Sequence, residues 1–194
     1  MRKFIFIIGL LLSFTSCVRG NIKVTTLENF NIRGFIFGVT RETIIKNEVA
    51  LIMKEGNIFG TETLSYKVKL FGIDCTIQYL FPDGTLKNAW YDFKFEESNF
   101  VEIIKKYNYL IDELSKNYGI PHFNGFREAL YSDAKVINKK ITDKNIKSDL
   151  ENEKCVYIVE WTFANQVEIQ LVIRGQEKSG LKYYLNYNAP DYTF

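Results

Sequence analysis

Polar and apolar residues alternate along much of this chain. Leu64, Tyr66, Val68 and Leu70 alternate with Ser65, Lys67 and Lys69; Ile73, Cys75, Ile77, Tyr79 and Phe81 alternate with Asp74, Thr76 and Gln78. Period-two alternation marks strands with one buried and one wet face. Phe71-Gly72 and Pro82-Asp83-Gly84 separate these strands from each other and from a third, Leu86 to Phe95. Both are turn chemistry, so the three strands are predicted to form an antiparallel meander. The pattern then changes period. Phe100, Ile103, Ile104, Tyr107, Leu110, Ile111, Leu114 and Tyr118 form one stripe at spacings of three and four, which predicts a long amphipathic helix. Asn99 and Glu102 resemble a capping box at its start, and Gly119 and Pro121 stop it. A shorter helix is predicted over Arg41 to Asn47, with Thr40 as its cap and Glu42 in its first turn.

Lys139 to Lys154 is charged and without aromatics, and is predicted to be an exposed loop. Three more alternating runs follow: Cys155 to Phe163, Val167 to Ile173, and Leu181 to Tyr187. The expected fold is α+β, with an antiparallel sheet of about six to eight strands and its helices on one face. The order of elements suggests two α-β-β-β units side by side.

The N-terminus reads differently. Met1-Arg2-Lys3 is positive, Phe4 to Leu12 is apolar apart from Gly9, and Ser13-Phe14-Thr15-Ser16-Cys17 follows, with small residues directly before the cysteine. This is the layout of a secretory signal over residues 1–16. Phe14-Thr15-Ser16-Cys17 resembles a bacterial lipobox. That resemblance implies cleavage before Cys17, lipid attachment to it, and a place in the bacterial cell envelope, at the outer membrane or periplasmic face. Residues 17–33 are then the lipidated N-terminus and tether, and 34–194 a single domain. Removing the signal also changes the charge. Arg2 and Lys3 are its only charged residues, so the formal +2 of the full chain becomes 23 cations against 23 acids. A neutral domain lacks the basic footprint of nucleic-acid binding.

Two cysteines remain, Cys75 and Cys155, both within apolar stretches. A disulfide between them is one option for an exported protein, closing a loop of about 80 residues and contributing around 4 kcal/mol on a loop-entropy argument. Two free buried thiols are the other.

Catalytic patterns are missing. His122 is the one histidine, and no Cys-x-x-Cys or His-Glu-x-x-His spacing accompanies it. There is no Gly-x-Ser-x-Gly elbow, and Gly34 and Gly38 are not spaced as a phosphate loop. The carboxylate pairs Glu96-Glu97 and Asp112-Glu113 are sequence neighbours; on a helix such neighbours do not share a face. No cofactor or metal is implied. A transmembrane β-barrel is disfavoured by the long helix and the charged strand faces.

Alternation also singles out Trp90 and Tyr184. If Tyr91 and Tyr183 point to the core, these two point the other way. Amphipathic aromatics on a wet sheet face suit partner binding. The alternative is that residues 139–154 or 21–37 cover them. Phe37-Gly38-Val39-Thr40-Arg41-Glu42, Tyr79 to Leu86 with its Phe-Pro-Asp-Gly turn, and Tyr118-Gly119-Ile120-Pro121 resemble small bacterial envelope lipoproteins of the outer-membrane-assembly lipoprotein and beta-lactamase-inhibitor-like group. The likeness spans residues 34–188 in the order of elements. It implies macromolecule binding or envelope assembly, not catalysis. A secreted inhibitor or immunity-type protein is the alternative function, and an envelope hydrolase built on scattered carboxylates a third.

Overall fold

The computed structural model describes residues 31–58, 60–95, 99–128, 134–176 and 180–192. The expected signal segment, Cys17 and the Glu96-Glu97 pair lie outside these residues. The elements are α1 (Arg41–Asn47), β1 (Ile52–Ile58), β2 (Thr61–Leu70), β3 (Ile73–Phe81), β4 (Asn88–Phe93), α2 (Phe100–Tyr118), β5 (Phe123–Arg127), β6 (Val136–Ile137), α3 (Ile146–Glu151), β7 (Val156–Thr162), β8 (Glu168–Gln176) and β9 (Gly180–Asn188). The nine strands form one antiparallel sheet in the order β1-β2-β3-β4-β9-β8-β7-β5-β6. The fold is α+β as expected, with more strands than the six to eight predicted.

The topology sharpens the repeat idea. Each half begins with a helix, and each half contributes a four-strand meander: β1-β2-β3-β4, then β5-β7-β8-β9. The two meanders join through their last strands, β4 and β9. The units therefore contain four principal strands and not three. The miss has a local cause. In β1 only Gly56 and Ile58 are even half-buried and the rest is exposed, while β5 is short and interrupted by Gly125, so neither alternates clearly.

Local signals place the long elements. The Phe71-Gly72 turn has both residues at positive φ, 49° and 81°, and aligns Leu70 with Ile73. That is the two-residue hairpin whose twist matches its strands. Asn99 accepts a hydrogen bond from the Val101 amide at 2.9 Å, and the Gly119 amide donates to the Ser115 carbonyl at 2.9 Å. Glu102 does not close the expected capping box; its carboxylate takes Lys105 at 2.7 Å.

All three helices feed one core. Ile44 of α1, Ile103, Tyr107, Leu110 and Leu114 of α2, and Ile146 and Leu150 of α3 pack with the inward residues of the strands. Burying each large aliphatic side chain contributes about 1.5–3 kcal/mol. Two polar groups within this layer find backbone partners: the Tyr107 hydroxyl donates to the Leu171 carbonyl at 2.6 Å, and the Trp161 indole donates to the Gly119 carbonyl at 2.9 Å. Trp161 thus ties the end of α2 to the C-terminal end of β7.

The predicted loop over residues 139–154 is corrected. It contains α3, because Ile146 and Leu150 sit four apart and share a face, and both are buried. The surrounding charges obscured that pair. α3 lies so close to β8 that a Cβ on Gly175 would sit 2.4 Å from the Leu150 carbonyl oxygen. Gly175→Ala is expected to push α3 off the sheet and cost about 1–3 kcal/mol; a chemical-denaturation midpoint lowered accordingly is the check.

The tether boundary also moves. Ile32 is buried in the core, and its amide and carbonyl pair with those of Phe35, so the fold begins before residue 34. The disulfide is corrected as well. Cys75 and Cys155 are both buried and free. Cys75 is on β3 and Cys155 abuts β7, with β4, β9 and β8 between them. Four strand spacings of roughly 4.8 Å far exceed the reach of a disulfide. Burial raises both thiols, Cys75 to about 12. Both are expected to resist alkylation in the native protein and to react at once in denaturant, as followed by mass shift.

Candidate binding face

Among the described residues no helix packs on the other side of the sheet. Its side chains follow from the register. One row runs Gln78, Trp90, Asn186, Gln170, Glu160, Phe123 across six strands. A parallel row runs Asp92, Tyr184, Val172, Ile158 and Gly125. A third runs Asn88, Asn188, Glu168 and Thr162.

Trp90 and Tyr184 therefore share this open face, as alternation predicts. They are diagonal neighbours on β4 and β9, with backbones about 7–8 Å apart. Each is half-buried. Neither residues 139–154 nor the described part of 21–37 supplies the cover considered from sequence. α3 packs into the main core on the opposite side, and so do Ile32 and Phe35. Residues 21–30 lie outside the described residues.

Tyr184 belongs to a small second cluster with Val156, Ile158, Val172 and Phe123. The Arg174 guanidinium lies 5.5 Å from its ring centroid. Burial raises the Tyr184 hydroxyl, with Arg174 acting in the opposite sense. Beside Trp90, three amides form a connected group. Asn88 Nδ2 donates to Asn186 Oδ1 at 2.7 Å and to Asn188 Oδ1 at 2.6 Å, and Asn186 Nδ2 donates to Asn188 Oδ1 at 3.1 Å. These bonds span β4 and β9 and hold the face rigid where the two meanders meet.

The far side of the face contains a cluster the sequence did not reveal. Arg127 donates to both oxygens of Glu160, at 3.1 and 2.5 Å, and the two side chains are only 7% and 5% exposed. Gln170 donates to the same carboxylate at 2.9 Å. His122 Nε2 lies 3.7 Å from it. The Arg127 guanidinium stacks on Phe123 at 4.1 Å from the ring centroid. Glu168, one row away, is raised by burial and secondarily by the Glu160 charge. One signal for this cluster was present. Val156, Ile158 and Glu160 share the outward face of β7, and two large aliphatics there signal the local apolar cluster that packs with Phe123 and Tyr184.

Chemically, Glu160 is a locked acceptor: Arg127 and Gln170 occupy its oxygens. The arrangement fixes a surface and does not free a proton donor. Among the described residues no group of three or more His, Cys, Asp or Glu side chains is placed to hold a metal ion, and no helix is long and apolar enough to cross a membrane. No family model, curated protein or solved structure matches the chain.

Proposed function

We propose that this is a lipid-anchored bacterial cell-envelope protein with a non-catalytic role, whose open sheet face binds another protein. The observation that supports it best is the face itself: Trp90 and Tyr184 lie side by side on a rigid antiparallel surface that no helix among the described residues covers. Aromatic side chains with a polar tip give binding area at small entropic cost, and a fixed backbone reduces that cost further. The lipobox-like Phe14-Thr15-Ser16-Cys17 supports the anchor, and the envelope-lipoprotein resemblance supports binding or assembly over turnover.

Two measurements test this. Incorporation of a fatty-acid probe is expected in the native chain and lost in Cys17→Ala; label retained in that variant removes the anchor. For the face, affinity capture from envelopes is compared between the native chain, Trp90→Ala, Tyr184→Ala and Ile120→Ala. Ile120 is 84% exposed and lies in the link between α2 and β5. The first two variants are expected to lower partner recovery about tenfold or more, the scale of an interface hot spot. Ile120→Ala is expected to leave it unchanged. Equal recovery from all four overturns the binding face.

A further inference from the structure

The most exposed large apolar side chains among the described residues are Val49 and Leu51, at 93% and 88%. They are not isolated. Ile45, Ile52 and Met53, exposed between 42% and 49%, lie in the same stretch from the end of α1 to the start of β1. An apolar group this exposed on one short segment marks a contact surface.

Three observations say what contacts it. The first concerns the sheet edge. β1 is the outermost strand, and its register slips between Ile52 and Lys54. A bulge followed by Lys54, Glu55 and Gly56 is how an edge refuses another strand. The occupant is therefore not an added β-strand from a second copy or an extended peptide. The second concerns charge. Lys46, in the last turn of α1, and Lys54 flank the apolar residues, whereas the nearby carboxylates Glu48 and Glu55 are engaged by Arg33 and Arg41. Glu42 is in the first turn, at the far end of α1. A cationic rim around an aliphatic centre complements an anionic phospholipid surface.

The third concerns the chain that precedes the fold. Arg33 donates to both oxygens of Glu48, at 3.0 and 2.9 Å. The point where the chain enters the domain is thereby pinned beside Val49. Residues 18–30 separate Cys17 from Asn31, so the entry point lies at most about 50 Å from that cysteine. A lipid at Cys17 keeps the entry point, and the apolar residues beside it, within that reach of the bilayer.

We propose that residues 45–53 form a lipid-docking patch, in which Val49, Leu51 and Met53 enter the interfacial layer of a phospholipid bilayer and Lys46 and Lys54 meet its headgroups. This rests on the proposed anchor at Cys17. The sheet then stands edge-on, with β1 next to the membrane and the open face accessible from the side.

The test uses the full chain, purified in processed form and reconstituted into vesicles of phosphatidylethanolamine and phosphatidylglycerol. A nitroxide label is placed at Leu51→Cys and, separately, at Lys67→Cys, which is exposed on the open face of β2. The ratio of accessibility to oxygen over a water-soluble nickel chelate is read for each, and the mass of the Cys17 peptide is measured on the same samples. The expected result is a several-fold rise at position 51 on vesicle binding and none at position 67. Replacing Val49 and Met53 by Ser in the position-51 sample is expected to abolish the rise. An acylated Cys17 with position 51 as wet as position 67 overturns the patch and leaves the anchor standing. An unmodified Cys17 overturns the anchor and the patch with it.

Discussion

Arg127→Ala is expected to destabilise the protein by about 3–5 kcal/mol, the scale for removing one partner of a buried ion pair. The reasoning starts from exposure. Glu160 is 5% exposed and Arg127 7%, so neither charge recovers its hydration in the folded state. Without the guanidinium, Glu160 retains one hydrogen bond from Gln170 and the neighbourhood of His122 at 3.7 Å. Removal also takes away the stacking on Phe123. An equilibrium denaturation series reads the loss as a lower midpoint. The pair itself is a different quantity. Replacing Arg127 and Glu160 together by Met is expected to recover most of the loss, because two apolar groups leave no orphaned charge. If the double variant is as unstable as Arg127→Ala, desolvation of an unpaired carboxylate is not the cause.

That pair shows where sequence reading stops. Arg127 and Glu160 are 33 residues apart and meet because β5 pairs with β7, passing over β6 and α3. No local period encodes that choice. The meander of β2, β3 and β4 was legible because each strand sends most of its large apolar side chains to one face, and alternation records it. α2 was legible for the same reason at a different period. The outward direction of Trp90 and Tyr184 was also legible, since parity along a strand fixes the face. Their adjacency was not, because it depends on β4 pairing with β9, a contact between positions almost a hundred residues apart. β1 escaped notice because an exposed edge strand has little to bury and so no pattern to show. α3 escaped because its two apolar residues are outnumbered by charges.

Glu48→Ala is the second large effect, at about 3 kcal/mol, and it acts on the entry of the chain. Glu48 gathers Arg33, the Ala50 amide at 3.1 Å and the Tyr79 hydroxyl at 2.9 Å around a carboxylate only 2% exposed. Truncation leaves the fully buried Tyr79 hydroxyl without its acceptor, which costs about 1–3 kcal/mol, and leaves Arg33 half-desolvated without its counter-charge. Burial on its own pushes the Glu48 carboxyl up; hydrogen bonds from Arg33, Ala50 and Tyr79 outweigh it and hold the group below its usual value. A lowered carboxyl stabilises the fold above the ordinary carboxylate range and ceases to do so as the pH falls through the lowered value. The amides of Ile32 and Phe35, which bond to each other's carbonyls, report on this latch. Their hydrogen-exchange protection is expected to decline in acid in the native chain, and to be already low and flat with pH in Glu48→Ala. Protection that is unchanged by the substitution shows that the core contacts of Ile32 and Phe35 hold the segment alone. Since Glu48 directly precedes Val49, the same measurement decides whether the chain's point of entry is fixed to the apolar patch or only lies near it.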